Sequence, residues 1–144
     1  MDTMHAATMQ FQAAYSSARR AAFFDAIRRR PTELPTLETI CGDLGRYRQV
    51  SRGVQSIPLA QIAGSEGRAH EFDRNFLPRA TYLKERWSRV AQAMSDGVRL
   101  PPIQVYKLGE HYYVCDGNHR VSVARHRGQD EIEANVTELL PLSA

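Results

Sequence analysis

The chain has 144 residues, the size of one ordinary domain, of which 42% are apolar, 8% aromatic and 24% charged. This composition excludes a disordered chain and a membrane-spanning protein, because it can supply a core but offers no apolar run of about eighteen residues. Cys41 and Cys115 have no metal-ligand spacing, which predicts two free thiols in a reducing compartment. The first residues lack the pattern of a signal peptide, so we expect a cytoplasmic protein with no membrane partner.

The positive charge is unevenly distributed. Residues 1–53 carry eight arginines against five acids, whereas the remainder of the chain is balanced. The excess lies near the end of a predicted helix, at Arg19, Arg20, Arg28, Arg29 and Arg30. Such a cluster is typical of a surface for nucleic acid or for an acidic partner. The alternative is that these side chains complement the carboxyl end of the helix dipole.

A long helix is predicted from Met4 to about residue 29, where the chain contains neither glycine nor proline. Phe11, Tyr15, Ala18 and Ala22 recur at helical spacing and predict its buried face. Three more side chains are predicted to widen that face: Phe23, Phe24 and Ile27. After two prolines, a short second helix is predicted. Residues 1–48 are thus interpreted as an N-terminal helical extension, which could mediate a homodimer.

Residues 49–144 are predicted to form the main domain. Val50, Val54 and Ile57 predict a first strand, and an irregular polar loop follows over residues 63–76. Loops of this kind on a rigid scaffold often carry function. A helix ending at Gly97 comes next. Its apolar residues are spaced by four, three and four positions, which predicts core packing: Leu83, Trp87, Val90 and Met94.

Two short strands, residues 103–107 and 111–115, are predicted to form a hairpin. A helix is predicted to follow with Asn118 as its N-cap, and then a last strand over residues 132–136. Residues 139–144 are predicted to fray. The order of elements predicts an α+β (mixed α/β) fold, in which a mixed sheet is flanked by helices and an N-terminal helical element is added.

The junction between the third predicted strand, residues 111–115, and the helix that follows it has the chemistry of a phosphate site. Where Asp116 and Gly117 lead directly into a helix, the first amides point outward and the dipole adds positive potential. Gly117 permits close approach of a phosphate, and His119 and Arg120 supply donors. Cations in a first turn oppose the dipole, so a bound anion would offset them. The alternative is that Asp116 pairs with Arg120 and only stabilises the turn.

Residues 116–124, Asp-Gly-Asn-His-Arg-Val-Ser-Val-Ala, resemble the signature of the ParB/sulfiredoxin superfamily. In that signature a glycine, two residues and an arginine open a helix that binds nucleotide phosphate. Residues 56–59 and 100–105 resemble the family's first strand and the hairpin that leads to the motif. The resemblance implies a ParB/sulfiredoxin-like domain and a nucleotide ligand such as ATP, ADP or CTP. The residues implied to bind it are Arg68, Asp116, Gly117, Asn118, His119 and Arg120.

Two differences between this sequence and the family pattern limit the functions that the resemblance implies. Sulfiredoxins carry their catalytic cysteine between the motif glycine and the His-Arg pair, where this chain has Asn118, so sulfiredoxin activity is not expected. The chromosome-partitioning members continue into a helix-turn-helix domain, whereas this sequence ends after the last predicted strand. A sequence-specific DNA clamp is therefore not expected, and the identity of the nucleotide stays open.

The family also resembles free-serine kinases and nucleases, which need a carboxylate as general base or metal ligand. Glu71 and Asp73 in the polar loop are candidate catalytic groups, His119 is a candidate acid, and Asp116 could hold Mg²⁺ on the phosphates. The first hypothesis is a nucleotide-binding domain that acts as an NTPase or phosphotransferase with Mg²⁺. The alternatives are a DNA-binding regulator that uses the basic helix, and a ParB-like nuclease.

Overall fold

A computed structural model describes residues 3–67 and 70–142 of the chain. Its helices are α1 (Thr3–Arg28), α2 (Leu37–Cys41), α3 (Lys84–Ser95) and α4 (Asn118–His126). Its strands are β1 (Tyr47–Pro58), β2 (Ile62–Ser65), β3 (Ile103–Leu108), β4 (His111–Asp116) and β5 (Glu131–Pro141). Among the described helices, none combines the length and the apolar character that crossing a membrane requires.

The five strands form one mixed sheet in the order β1-β5-β3-β4-β2. The β1–β5 and β3–β4 pairs are antiparallel, whereas β3–β5 and β2–β4 are parallel. The predicted hairpin is confirmed, since Leu108 pairs with His111 across a turn in which Gly109 has a φ of 61°. The predicted α+β class is confirmed: a mixed sheet with helices and an N-terminal helix.

Successive side chains along a strand of the sheet pack into two separate cores. Tyr112 and Val114 of β4 belong to the larger core, which also contains side chains of α1, α3 and α4. Tyr113, which lies between them, packs with Leu37 of α2 and Leu139 of β5 in a smaller core. This alternation follows from the two-residue period of a strand, so helices cover both faces of the sheet.

Helix α1 is part of the larger core. Phe11 has no exposed surface and its ring lies 5.7 Å from that of Trp87 on α3, edge to face. The predicted stripe is confirmed, since Trp87 on α3 and Leu83 just before it are buried and Val90 and Met94 pack against the same core. The prediction for Phe23, Phe24 and Ile27 is wrong, because all three side chains are exposed. A helix that packs against a neighbouring helix buries only one arc, and on α1, which packs against α3, that arc is already filled by Phe11 and three alanines: Ala7, Ala14 and Ala18.

Two segments predicted to be irregular are strands. Ile62–Ser65 begins one residue before the predicted loop and covers its first three residues, yet it pairs in parallel with β4. The Ser65 amide also donates to the carbonyl of Pro35. Gly64 allows this approach, since a Cβ there would overlap that carbonyl oxygen. Residues 139–141 belong to β5 rather than to a frayed tail, because β1 extends far enough to pair with them and Leu139 is buried.

Candidate functional site

The site lies where β4 ends and α4 begins. Gly117 adopts a φ of 115° and is the N-cap, so the helix begins at Asn118 and not one residue later. The prediction of Asn118 as N-cap is therefore wrong by one position. No side chain in the described part of the chain caps α4. Its first amides accordingly present partial positive charge at this end, as a phosphate-binding turn requires.

Gly117 is required at this turn for two reasons. Its φ lies in the region that only glycine adopts without strain, and a Cβ there would overlap Cγ2 of Ile103 on β3. We therefore expect Gly117→Ala to lower the free energy of unfolding by roughly 3 kcal/mol, from backbone strain together with overpacking. Urea denaturation followed by circular dichroism measures this loss.

Gly128, the glycine just beyond α4, provides the matched control. Its φ of 76° is also positive, but a Cβ there would meet nothing within 4 Å. Gly128→Ala should therefore lower the free energy of unfolding by roughly 1 kcal/mol, from backbone strain alone. Equal losses in the two variants would show that the contact with Ile103 does not constrain the turn.

A cavity of about 310 Å³ opens beside this turn. The turn contributes one side of its lining, residues 115–120, and the other side comes from α3 and the segment before β3: Arg86, Val90, Leu100 and Pro101. Two guanidinium groups, those of Arg86 and Arg120, therefore belong to the lining. Val90, Leu100 and Pro101 give the cavity an apolar wall next to its charged end.

Arg120 is fixed by its neighbours. Its Nη1 donates to the carbonyl oxygens of Pro101 (2.6 Å) and Pro102 (3.2 Å), and its Nη2 donates to the Asp116 carboxylate (3.1 Å). The guanidinium thus ties the first turn of α4 to the segment that precedes β3. The predicted alternative, an Asp116–Arg120 pair, is present, and it holds the arginine at the edge of the cavity that it lines.

The remaining turn residues differ in their surroundings. The Asp116 side chain is 71% exposed, so its carboxylate is accessible at the cavity although it pairs with Arg120. Asn118 is buried, and its Oδ1 has no hydrogen-bond partner among the described residues. The His119 ring is buried and packs edge to face against Phe72, with the ring centroids 5.2 Å apart.

The contact of Phe72 with His119 brings the polar loop against α4, but the two loop acids face other groups. Glu71 is buried and accepts a hydrogen bond from the Tyr82 hydroxyl (2.9 Å). Asp73 accepts from the amides of Asn75 (2.8 Å) and Leu77 (2.9 Å), which shapes the loop, and its burial raises the pKa of its carboxyl group. Neither acid belongs to the cavity lining.

Arg68 lies outside the described residues. A catalytic role for Glu71, Asp73 or His119 stays a prediction. Within residues 3–67 and 70–142, no group of three or more His, Cys, Asp or Glu side chains is arranged to hold a metal ion. The structure therefore brings together five of the predicted ligand residues at one cavity, residues 116–120, and leaves the two loop acids outside its lining.

Sequence reasoning missed Arg86. The pattern of α3 was interpreted only for its apolar stripe, yet Arg86 precedes Val90 by four residues and therefore lies on the same side of the helix. Both residues line the cavity. Arg86 is exposed and forms no ion pair with the described carboxylates, so its charge is available to a ligand.

The surroundings of Cys115 disfavour the ionised form of its thiol. Burial raises the pKa of its thiol to about 12, and the neighbouring Glu66 carboxylate contributes in the same direction. At pH 8 only about one thiol in ten thousand is then ionised, against about a quarter of ordinary thiols with a pKa near 8.5.

We expect iodoacetamide to label Cys115 at pH 8 at least tenfold more slowly in the folded protein than in urea. This figure includes the partial compensation that arises because a more basic thiolate is also more nucleophilic. A Cys41→Ser variant leaves Cys115 as the thiol measured, and mass spectrometry gives the rate. Equal rates in the folded and unfolded protein would mean that the thiol is not held in its neutral form.

The sequence is similar to one known protein family over most of its length. Residues 46–142 match the family model of the ParB N-terminal domain. The match contains all five strands of the sheet, together with α3, α4 and the cavity between them. No curated protein matches the sequence. The chain belongs to the ParB N-terminal domain family.

Proposed function

We propose that this domain binds a nucleotide at the cavity beside α4, with the phosphates at the turn. The observation that carries the proposal is the convergence of Gly117, the uncapped start of α4 and the guanidinium groups of Arg86 and Arg120 on one cavity. Amides at a helix start and arginines both bind phosphate readily, the first through the helix dipole and the second through charge-assisted hydrogen bonds. Membership of the ParB N-terminal domain family supports the same ligand class.

The two arginines have different parts in this proposal. Arg120 is held by the carbonyls of Pro101 and Pro102 and is positioned before the ligand arrives. Arg86 projects from α3 on the other side of the cavity. Two guanidiniums on separate elements suit a ligand with more than one phosphate, because each phosphate can take a charge-assisted hydrogen bond. The apolar wall of Val90, Leu100 and Pro101 would then contact the sugar or base.

Mg²⁺ fits this arrangement as an ion shared between protein and nucleotide. The Asp116 carboxylate is exposed at the cavity, and Mg²⁺ in nucleotide sites usually takes one or two carboxylates together with phosphate oxygens. When bound, it would neutralise phosphate charge. Asp116 also accepts a hydrogen bond from Arg120, so it can contribute to the turn as well as to metal binding. Measuring the nucleotide affinity with and without Mg²⁺ separates the two contributions.

Binding rather than turnover is the function that the geometry supports best. Asp116 is the one carboxylate among the described lining residues, and it already accepts a hydrogen bond from Arg120. Hydrolysis, phosphoryl transfer and nucleic-acid cleavage would each need a general base or a metal-activated water. Measurements of nucleotide hydrolysis and plasmid nicking, with Asp116→Ala as the inactive control, would test these alternatives.

The test of the proposal is a calorimetric titration with ATP, ADP, CTP and inorganic phosphate, each with and without Mg²⁺. We expect at least one nucleotide to bind more tightly than phosphate, and to stabilise the fold by about 2.7 kcal/mol at a hundred times its Kd. Asp116→Asn should remove the Mg²⁺-dependent part of the affinity and leave the remainder. If no nucleotide shifts the unfolding midpoint and none gives a heat of binding, the proposal is wrong.

A further inference from the structure

A second surface lies far along the chain from the nucleotide cavity, at the end of α1. Phe23, Phe24 and Ile27 are 62%, 49% and 64% exposed, and they lie within two turns of the helix. We call these three side chains the α1 patch. Single exposed apolar residues are ordinary, but three large ones side by side on a helix mark a contact surface.

Arginines surround the α1 patch. All of them are exposed, and none forms an ion pair with a described carboxylate: Arg19, Arg20, Arg28, Arg29 and Arg30. The nearest acid in the sequence, Asp25, does not neutralise them, because it is buried and pairs with Arg74 at 2.7 Å. The surface is therefore apolar at its centre and positively charged at its rim.

This charge disfavours a second copy of the chain as the occupant. Two α1 patches packed together would bring ten uncompensated arginines into one interface, and like charges at close range cost binding energy. Double-stranded DNA would satisfy the arginines but leave the α1 patch in water, since the phosphate backbone offers no apolar surface. The occupant needs both carboxylates or phosphates and apolar groups.

Single-stranded nucleic acid offers stacking bases, but the rings are poorly arranged to receive them. Phe23 and Phe24 lie edge to face, with an interplanar angle of 76°, and the guanidinium of Arg28 already lies over the Phe24 ring at 5.7 Å. They do not form a continuous stacking platform. The third member of the patch, Ile27, is not a stacking residue.

An anionic bilayer would need a longer apolar face. Helices that lie in a membrane interface present apolar residues along their length. Between Met9, which is itself exposed, and the arginines, the exposed positions of α1 are small or polar: Gln12, Ala13 and Ser16. The patch covers only the last two turns, which matches the short i, i+3, i+4 contact between two crossing helices.

We propose that the α1 patch is the docking site for an acidic amphipathic helix of a partner protein. The apolar face of that helix covers Phe23, Phe24 and Ile27, and its flanking carboxylates pair with the arginine rim. Helices recognise one another in this way through apolar anchors at helical spacing, with charges fixing orientation and partner choice. The proposal does not depend on nucleotide binding, because the patch and the cavity share no residue.

The test uses three synthetic helical peptides with leucines at i, i+3, i+4 and i+7 and glutamates elsewhere, each with a scrambled version of the same composition. Binding is measured by fluorescence anisotropy, and the contact surface by NMR chemical shifts. We expect at least one amphipathic peptide to bind roughly tenfold more tightly than its scrambled form. Its shifts should map to residues 19–30.

Two sets of variants locate the contact. Phe23→Ser with Ile27→Ser should weaken binding by at least roughly tenfold, and Arg28→Gln, Arg29→Gln and Arg30→Gln together by roughly fivefold in low salt and less in high salt. Met9→Ser, which removes an exposed apolar side chain elsewhere on α1, should leave binding unchanged. All these side chains are exposed, so the fold should be retained, and urea denaturation confirms this for each variant.

Several outcomes would overturn the proposal. One is that no amphipathic peptide binds better than its scrambled form, or that the serine variants bind equally well. Another is that phosphatidylserine vesicles or oligonucleotides bind in the same assay and require Phe23 and Ile27 while the peptides do not. A third is that the protein is a dimer in ultracentrifugation and Phe23→Ser with Ile27→Ser makes it a monomer.

Discussion

Arg120→Ala should weaken nucleotide binding on the order of 100-fold, which corresponds to about 3 kcal/mol. The reason is that its guanidinium is held at the edge of the cavity by two carbonyl oxygens, so its charge reaches a phosphate without further ordering of the side chain. Arg86→Ala should have a smaller effect, about tenfold, because that side chain is exposed and must be ordered on binding. Calorimetric titration with the nucleotide that binds wild type measures both.

Loss of Arg120 also removes bonds that hold the turn, so an effect on stability has to be separated from one on binding. Arg120→Lys keeps the charge but not the planar fork, and should recover part of the affinity. Arg127→Ala is the matched control, because it removes a cation from the far end of α4. That cation also donates a hydrogen bond to Ser95, which the variant loses. If Arg120→Ala is folded and binds like wild type, the phosphates do not lie at this turn.

Much of the site was predictable because its signal is local. The residues of the turn are consecutive, and a glycine followed by a helix start determines where the amides point, so the spacing of residues 116–120 carried the prediction. Arg86 could not be found in this way. Its relation to Arg120 depends on how α3 packs beside α4, and no spacing within either segment encodes that packing. Glu71 and Asp73 illustrate the same limit, since burial of a loop acid depends on distant partners.

The fold shows a similar division. Helices α3 and α4 and the β3–β4 hairpin follow from periodicity and turn chemistry within single segments. Strand β2 was missed because it has four residues, one of them glycine, and pairs in parallel with a strand far along the chain. The apolar residues of α1 fall on two sides of the helix. Periodicity alone did not distinguish the buried side at Phe11 from the exposed side at Phe23.

Phe11→Ala should lower the free energy of unfolding by about 4 kcal/mol, because it removes a fully buried ring and leaves a cavity against Trp87. Since Phe11 lies in the same core as side chains of the sheet, the loss should affect the whole protein. Urea unfolding followed by Trp87 fluorescence and by circular dichroism should therefore give a single transition that shifts as a unit. Residues 1–48 and 49–144 would then unfold together as one cooperative unit, although the sequence predicted a boundary between them.

Phe23→Ala is the matched control, since it deletes the same ring from the same helix at a position that is 62% exposed. Its effect should be within about 0.5 kcal/mol. Two outcomes would contradict the prediction for Phe11. Losses of similar size in the two variants would mean that α1 is not anchored through its buried face. A biphasic transition, in which helix is lost before the Trp87 signal changes, would mean that α1 unfolds apart from the domain and is an extension as the sequence first indicated.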